Sequence, residues 1–184
     1  RNKTNIQRAQ ETFINLLEKR QDYLPAVLGL ATAYLIEKEH NKAKNLLKRI
    51  TKFDNHNYVS EDFSKAHILI AKINVDKGRF DIAQDSIKKA LIQNRSSAGA
   101  WELMGLVLEK AKDHAKAAEC YEKAWSLSFQ TSAPTGFKLA YCYMKAGLYI
   151  QSIDVCERVL ERFPEYPRIR EEILMSCVGH LSEK

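Results

Sequence analysis

A recurring pattern of small residues limits what this chain can fold into more than any other feature of its sequence. Four stretches align, and each has a small residue in its first half and another small residue twelve positions later. The first members are Ala31, Ala71, Gly105 and Ala140, and the second members are Ala43, Ala83, Ala117 and Ser152. The second members lie 40, 34 and 35 residues apart. The sequence therefore contains four copies of an internal repeat of about 34 residues.

Apolar residues follow a helical period within each repeat. In the second half of the fourth repeat they recur mostly at intervals of three and four, the period of an α-helix. They are Tyr149, Ile153, Cys156, Val159, Leu160 and Phe163. Gly78 and Gly147 mark turns near the middle of their repeats. Each repeat thus predicts two antiparallel helices that approach closely where the facing side chains are small.

These patterns predict an all-α protein, a right-handed superhelical solenoid of antiparallel helix pairs, because one pair cannot bury its own apolar face. We expect the second helix of a truncated upstream repeat at 6–20, so that the array continues upstream of Arg1. A capping helix is predicted at 167–182. The complete repeats are predicted at 24–53, 63–94, 97–129 and 133–164.

Two further segments carry expectations of their own. The longer first spacing places extra residues in 53–62, as a surface loop or as a contact loop that uses Phe53 and Tyr58. The capping helix is expected to bury one apolar stripe and to expose a charged back. The stripe is Ile169, Ile173, Cys177 and Leu181, and the charged residues are Arg168, Arg170, Glu171, Glu172 and Glu183.

A helix–turn–helix unit with this pattern resembles the tetratricopeptide repeat. The third repeat matches it best, through Trp101, Met104, Gly105, Ala117, Tyr121 and Ala124. The segments of the chain, taken in order, resemble the C-terminal end of the tetratricopeptide repeat protein 21 family. These segments are RAQETFINLLEKR (8–20), LPAVLGLATAYLIEK (24–38), AWELMGLVLEK (100–110), AAECYEKAW (117–125), SAPTGFKLAYCYMKAG (132–147) and YPRIREEIL (166–174).

The resemblance to this family implies a function. It implies a protein–protein interaction scaffold within intraflagellar transport complex A, acting in retrograde ciliary transport and ciliary cargo trafficking. The implied partners are the other subunits of that complex. The implied location is cytoplasmic and ciliary, at the cilium, the axoneme and the basal body.

The first helix of each pair is expected to line a concave groove for a partner. The groove residues predicted from the alignment are Leu28, Leu35, Ile36, Ile68, Phe137, Tyr141 and Met144. An exposed apolar groove is typical of a site for a helix or a peptide. The alternative is that these side chains pack on adjacent helices of the array.

The second helix of the first repeat carries a basic face. The chain has a net charge of +6, and residues 1–54 hold 11 Lys and Arg against 6 Asp and Glu. The basic face consists of Lys44, Lys48, Arg49 and Lys52. It is either a solvated outer surface or a docking surface for an acidic partner or anionic lipid headgroups, with at most peripheral membrane contact. Nucleic acid is not expected, because few aromatic residues interleave with these charges.

The sequence has no motif of an enzyme or of a cofactor site. It contains no phosphate-binding loop, dinucleotide fingerprint, zinc-protease motif or nucleophile elbow. Its four cysteines, Cys120, Cys142, Cys156 and Cys177, form no C-x-x-C pair, and we expect them to be small buried hydrophobes in a reducing compartment. We therefore expect no catalysis, cofactor, metal or small-molecule substrate. The N-terminal segment lacks the apolar region of a signal peptide, and no apolar run reaches the ~18 residues of a membrane span.

Overall fold

The described part of the chain consists of helices and the turns between them. The computed structural model describes residues 2–52 and 60–182, and it has no strand within those ranges. It divides into two compact units, Arg1–Arg95 and Ser96–Lys184. The predicted all-α class is confirmed.

Unit 1, residues 1–95, is built from helix pairs joined by short turns. Its described helices are α1 (Asn2–Lys19), α2 (Leu24–Ile36), α3 (His40–Lys52), α4 (Ser60–Asp76) and α5 (Phe80–Gln93). Helix α2 packs against α1 and α3, and α4 packs against α2, α3 and α5. Phe53 and Tyr58, named above for a contact loop, lie outside the described residues.

Small residues bring the helices of unit 1 together. Ala31 and Ala43, from the predicted pattern, are both fully buried in one core with Leu47. Gly29 of α2 meets the ring of Phe13 from α1 so closely that a Cβ added there would overlap the ring. Helix α1 therefore packs closely on α2 at a position that has no side chain.

Unit 2, residues 96–184, repeats this arrangement. Its helices are α6 (Ala98–Lys110), α7 (His114–Leu127), α8 (Ala133–Lys145), α9 (Tyr149–Arg162) and, after a π-helical segment (Ile169–Leu174), α10 (Met175–Ser182). Helix α7 packs against α6 and α8, and α9 packs against α8, the π-helical segment and α10. Polar caps start two of the helices: Ser97 accepts a hydrogen bond from the Ala100 amide, and Asp113 accepts one from the Lys116 amide.

The small residues of unit 2 make two different kinds of contact. The buried Ser152 hydroxyl donates a hydrogen bond to the Ala140 carbonyl oxygen at 2.8 Å, so this predicted pair meets directly. Gly105 instead faces the fully buried ring of Tyr121, and an added Cβ would lie 2.9 Å from two of its ring carbons. The missing side chain of Gly105 makes room for an aromatic ring.

The C-terminal helix differs from its predicted pattern. Arg168 has a left-handed backbone (φ 72°), and the helical backbone begins at Ile169 as a π-helix. The stripe residues Ile169, Ile173 and Cys177 are fully buried, but Leu181 is 41% exposed. The wider π-helical turn changes the register between the two parts of the helix. The described residues of the expected charged back, Arg168, Arg170, Glu171 and Glu172, are exposed, and Glu183 lies outside the described residues. The exposed surface also includes the apolar side chains of Met175 and Val178.

Candidate protein-docking surfaces

The predicted groove of unit 1 is only partly available to a partner. Leu28 is 8% exposed and belongs to the core of the unit, so its side chain packs internally. Leu35 and Ile68 are half-buried. Ile36, the last residue of α2, is 62% exposed. Burial by neighbouring helices therefore takes Leu28 out of the predicted binding surface, and Ile36 remains its most exposed member.

The predicted groove residues of unit 2 lie on α8 and are half-buried. Phe137, Tyr141 and Met144 all pack against the core of the unit while keeping part of their surface exposed. The Phe137 ring lies 6.0 Å from the Tyr166 ring, centroid to centroid. The Tyr141 ring meets the His114 ring edge-on at 6.5 Å. These contacts restrict the motion of the rings, so binding of a partner would cost less side-chain conformational entropy.

Charged residues surround these rings. Lys138 of α8 forms an ion pair with Glu102 of α6 at 2.8 Å. The Lys145 ammonium lies 5.4 Å from the centre of the Tyr141 ring. Positions 138, 141 and 145 share one side of α8, because they are spaced by three and four. We call Glu102, Lys138, Tyr141 and Lys145 the unit 2 face.

A partly buried hydrogen bond lies next to the unit 2 face. The Tyr121 hydroxyl donates to Oε2 of Glu109 at 2.8 Å. Burial, reinforced by the hydrogen bond to the Glu109 carboxylate, raises the pKa of Tyr121 well above its ordinary value of 10.0. Tyr121 therefore stays a neutral donor. The Lys138 ammonium lies 5.7 Å from the centre of the same ring, so the ring carries a cation on its face.

Sequence reasoning missed Lys138 as a member of this surface. The residue pairs with Glu102 across 36 positions, close to one repeat length. Residues one repeat apart occupy equivalent places on neighbouring first helices, so opposite charges at that separation are the signal that could have identified the pair.

The basic face predicted on α3 is exposed in part. Lys48 and Arg49 are exposed and Lys44 is half-buried. Helix α3 includes Lys52, whose side chain lies outside the described residues. Among the described residues, Lys44, Lys48 and Arg49 thus have no acidic side chain paired with them.

The cysteine thiols are buried and contribute to the packing of the helices. All four cysteines are buried and unpaired, and desolvation raises the pKa of Cys142 and of Cys156 to about 12. In residues 2–52 and 60–182, no cluster of three or more His, Cys, Asp or Glu could hold a metal ion. No described helix is both long and apolar enough to span a bilayer.

Comparison with known proteins assigns a family. The family model described as the tetratricopeptide repeat protein 21 C-terminal ARM domain matches residues 1–178. Tetratricopeptide repeat protein 21B of Homo sapiens is 42% identical over 172 residues, which are 94% of this chain and 13% of that protein. Tetratricopeptide repeat protein 21A of Mus musculus is 39% identical over 181 residues, 98% of this chain and 14% of that protein. The chain thus spans about one seventh of the length of these relatives.

Solved structures show the same fold at low sequence identity. The crystal structure of MamA has a TM-score of 0.71 at 22% identity and covers 90% of this chain and 92% of its own. The Cut9-Hcn1 hetero-tetramer of APC/C has a TM-score of 0.75 at 17% identity, over 96% of this chain and 34% of that one. YrrB, a TPR protein with an unusual peptide-binding site, has a TM-score of 0.63 at 12% identity, over 98% and 86%. These similarities confirm tetratricopeptide-type helix pairs as the fold.

Proposed function

Because the chain belongs to the tetratricopeptide repeat protein 21 family, whose helical repeats form a protein-interaction scaffold, we propose that it docks subunits of intraflagellar transport complex A. The family match over residues 1–178 carries this proposal. The proposed function is retrograde ciliary transport and cargo trafficking. The proposed location is the cytoplasm and the cilium, including the axoneme and the basal body.

The unit 2 face is the proposed docking surface. It combines a half-buried aromatic ring, Tyr141, with an ion pair and a lysine over the ring. Protein interfaces are enriched in aromatic residues at their centre and polar at their rim, and Tyr is among the residues that dominate binding energy. Tyr141 is the proposed anchor, with Lys145 at the rim. Phe137 supports the surface through its contact with Tyr166.

Point substitutions test this better than a deletion. Removing residues 131–184 would uncover Tyr121 and Trp125 of α7, both of which are buried against the rest of unit 2. In ciliated cells that express the family member, Tyr141→Ala with Lys145→Glu should reduce co-purification of complex A subunits by about tenfold. Ile150→Ala with Glu157→Lys, both at exposed positions of α9, is the matched control and should have no effect.

Two results would contradict the proposal. Unchanged co-purification by the Tyr141→Ala and Lys145→Glu protein would remove the unit 2 face as the docking surface. Absence of the unmodified protein from cilia would remove the ciliary assignment and leave only a repeat scaffold.

A second function is favoured by Lys48 and Arg49 of α3, which are exposed and form no ion pair with a described acidic side chain. Lys48 and Arg49 would dock an acidic partner or an anionic membrane surface. Salt distinguishes the two modes, because exposed charge pairs separated by more than about 8 Å are screened at physiological ionic strength. Binding through α3 should weaken steeply between low and physiological salt, whereas binding anchored on Tyr141 should change little. Equal salt dependence would contradict the assignment of two separate surfaces.

A further inference from the structure

A hollow of about 140 Å³ lies among α7, α8 and α9 of unit 2. Helices α7 and α9 each pack against α8, and all three helices contribute lining residues. None of these residues belongs to the unit 2 face, so the hollow is a separate surface. The lining residues that matter for its chemistry are Glu122 and Trp125 of α7, Leu139 and Tyr143 of α8, and Asp154 and Arg158 of α9.

The size and depth of the hollow suit one side chain of a partner. Pockets for small molecules usually enclose ~300–1,000 Å³, and this hollow is less than half as large. Its most buried lining residues are apolar, since Trp125, Leu139 and Val155 are each no more than 5% exposed. Its three charged lining residues are exposed. A side chain with an apolar stem and a charged end matches an apolar interior with a charged rim.

The net charge of the lining residues is negative. Arg158 forms an ion pair with Asp154 at 2.9 Å, so these two charges compensate each other. Glu122 is the third charged lining residue. Among the described residues, no ion pair joins Glu122 to a basic side chain. One carboxylate at the rim therefore remains for a cation from outside.

The lysines of α7 are engaged away from the hollow. Lys116 forms an ion pair with Asp113 at 2.8 Å. The Lys123 ammonium lies 4.4 Å from the centre of the Trp101 ring. None of these four residues lines the hollow. The lysines of the helix that carries Glu122 therefore do not occupy the place of a cationic ligand.

The half-buried ring of Tyr143 lies in a negative potential. Burial, together with the carboxylates of Glu122 and Glu119, raises the pKa of Tyr143 to about 12. The hydroxyl therefore stays neutral at physiological pH. A cation beside this ring would be attracted by the two carboxylates and by the negative face of the aromatic system.

We propose that the hollow binds a cationic side chain, arginine or lysine, from a basic segment of a protein partner. The stem of that side chain packs on Leu139 and Val155, and its charged end lies beside Glu122 and the Tyr143 ring. The proposal goes beyond the function above, because it adds a second docking surface and a class of partner. The phosphates of a membrane or a nucleic acid would be repelled by Glu122.

Nuclear magnetic resonance with a defined probe tests the proposal. The probe is a short peptide of glycine and serine with a single central arginine, and its neutral counterpart carries citrulline instead. The chain has two tryptophans, so its spectrum contains two indole N–H signals. Trp125 lines the hollow and Trp101 does not. The arginine peptide should shift the Trp125 signal with a Kd on the order of 1 mM. The citrulline peptide should leave it in place.

Further probes identify the kind of cation. A lysine peptide should also shift the Trp125 signal. Tighter binding of the arginine peptide would indicate stacking of the guanidinium group on the Tyr143 ring. The Trp101 signal should stay unchanged with every peptide.

Matched variants locate the binding site. Glu122→Gln should weaken binding of the arginine peptide about fivefold. Asp154→Asn should weaken it at least as much, because Arg158 then keeps its positive charge without a paired carboxylate. The control is Glu157→Gln at an exposed position of α9 outside the hollow, which makes the same change in net charge as Glu122→Gln. It should change the affinity by less than about twofold. The dispersion of the spectra checks that each variant is folded.

Several results would overturn the proposal. One is a Trp125 signal that does not move with the arginine peptide, and another is an equal shift with the citrulline peptide. A third is equal weakening by Glu157→Gln and Glu122→Gln, which indicates diffuse charge attraction. A fourth is tighter binding of a peptide with a central aspartate, which indicates an anion site at Arg158. The cell experiment on the unit 2 face uses other residues and another readout, so failure of one proposal is distinguishable from failure of the other.

Discussion

Replacing Gly105 by alanine introduces one methyl group at a close helix contact of unit 2. The new Cβ would lie 2.9 Å from Cδ1 and Cε1 of Tyr121 and 3.0 Å from Cγ, whereas non-bonded carbons prefer about 3.5–4.0 Å. The Tyr121 ring is fully buried, and its hydroxyl is held by Glu109 at 2.8 Å. The ring cannot move away without disturbing its packing or stretching this hydrogen bond.

Two effects of the substitution oppose each other. Alanine stabilises a helix interior by about 0.8–1.0 kcal/mol relative to glycine, and overpacking of a core costs about 1–3 kcal/mol. We expect overpacking to dominate, with a net loss of about 1 kcal/mol in the free energy of unfolding. Gly99 lies in the first turn of the same helix, and nothing lies within 4 Å of a Cβ added there. Gly99→Ala should therefore stabilise the unit by about 0.5 kcal/mol.

Tryptophan fluorescence during urea unfolding measures both variants. The two tryptophans of the chain, Trp101 and Trp125, both lie in unit 2, so their signal reports this unit alone. The urea midpoint should fall for Gly105→Ala and rise for Gly99→Ala. A stabilisation of equal size in both variants would show that the Tyr121 ring shifts without cost in free energy. It would refute the interpretation of Gly105 as a close-packing residue.

Three further predictions follow from the structure. Phe129 is 83% exposed with a left-handed backbone (φ 53°). Phe129→Gly should therefore relieve backbone strain and raise the free energy of unfolding of unit 2 by about 0.5–1 kcal/mol. The urea midpoint should rise, and a lower midpoint would show that the side chain contributes packing. Burial raises the pKa of the Cys142 and Cys156 thiols to about 12. They should therefore resist a thiol-specific disulfide reagent at pH 8 until urea unfolds the chain. Labelling of the folded chain as fast as the unfolded chain would contradict this. Burial, together with Lys89, lowers the pKa of His67 below its ordinary 6.5. The unfolded chain then binds more protons, so stability should fall as pH drops through 6.5 and into the lowered folded pKa. His67→Gln should flatten this dependence in urea unfolding followed by far-UV circular dichroism, and an unchanged pH profile would contradict it.

The helix pairs could be predicted because their signals are local. A small residue, a short turn and a second small residue twelve positions later occur within one repeat, and the contact of Ser152 with Ala140 results from that spacing. Periodicity shows that one side of a helix is buried, but it does not show what covers that side. Leu28 and Ile36 both belong to the predicted groove of α2, yet the first is in the core and the second is exposed.

The docking surfaces could be predicted less well, because they depend on contacts between repeats. The pairing of Lys138 with Glu102 joins two first helices, and the support of Phe137 by Tyr166 depends on the segment after α9. The exposure of Leu181 follows a π-helical segment that no sequence periodicity indicated.

Exchange of the C-terminal repeats within a family member tests whether this chain docks complex A subunits. The segment of human tetratricopeptide repeat protein 21B that aligns with this chain, at 42% identity, is replaced by the 184 residues in ciliated cells that lack the endogenous protein. Quantitative mass spectrometry then measures the complex A subunits that co-purify, and microscopy locates the hybrid. We expect the hybrid to enter cilia and to retain those subunits. A hybrid that is folded and expressed, but excluded from cilia and free of complex A subunits, would contradict it.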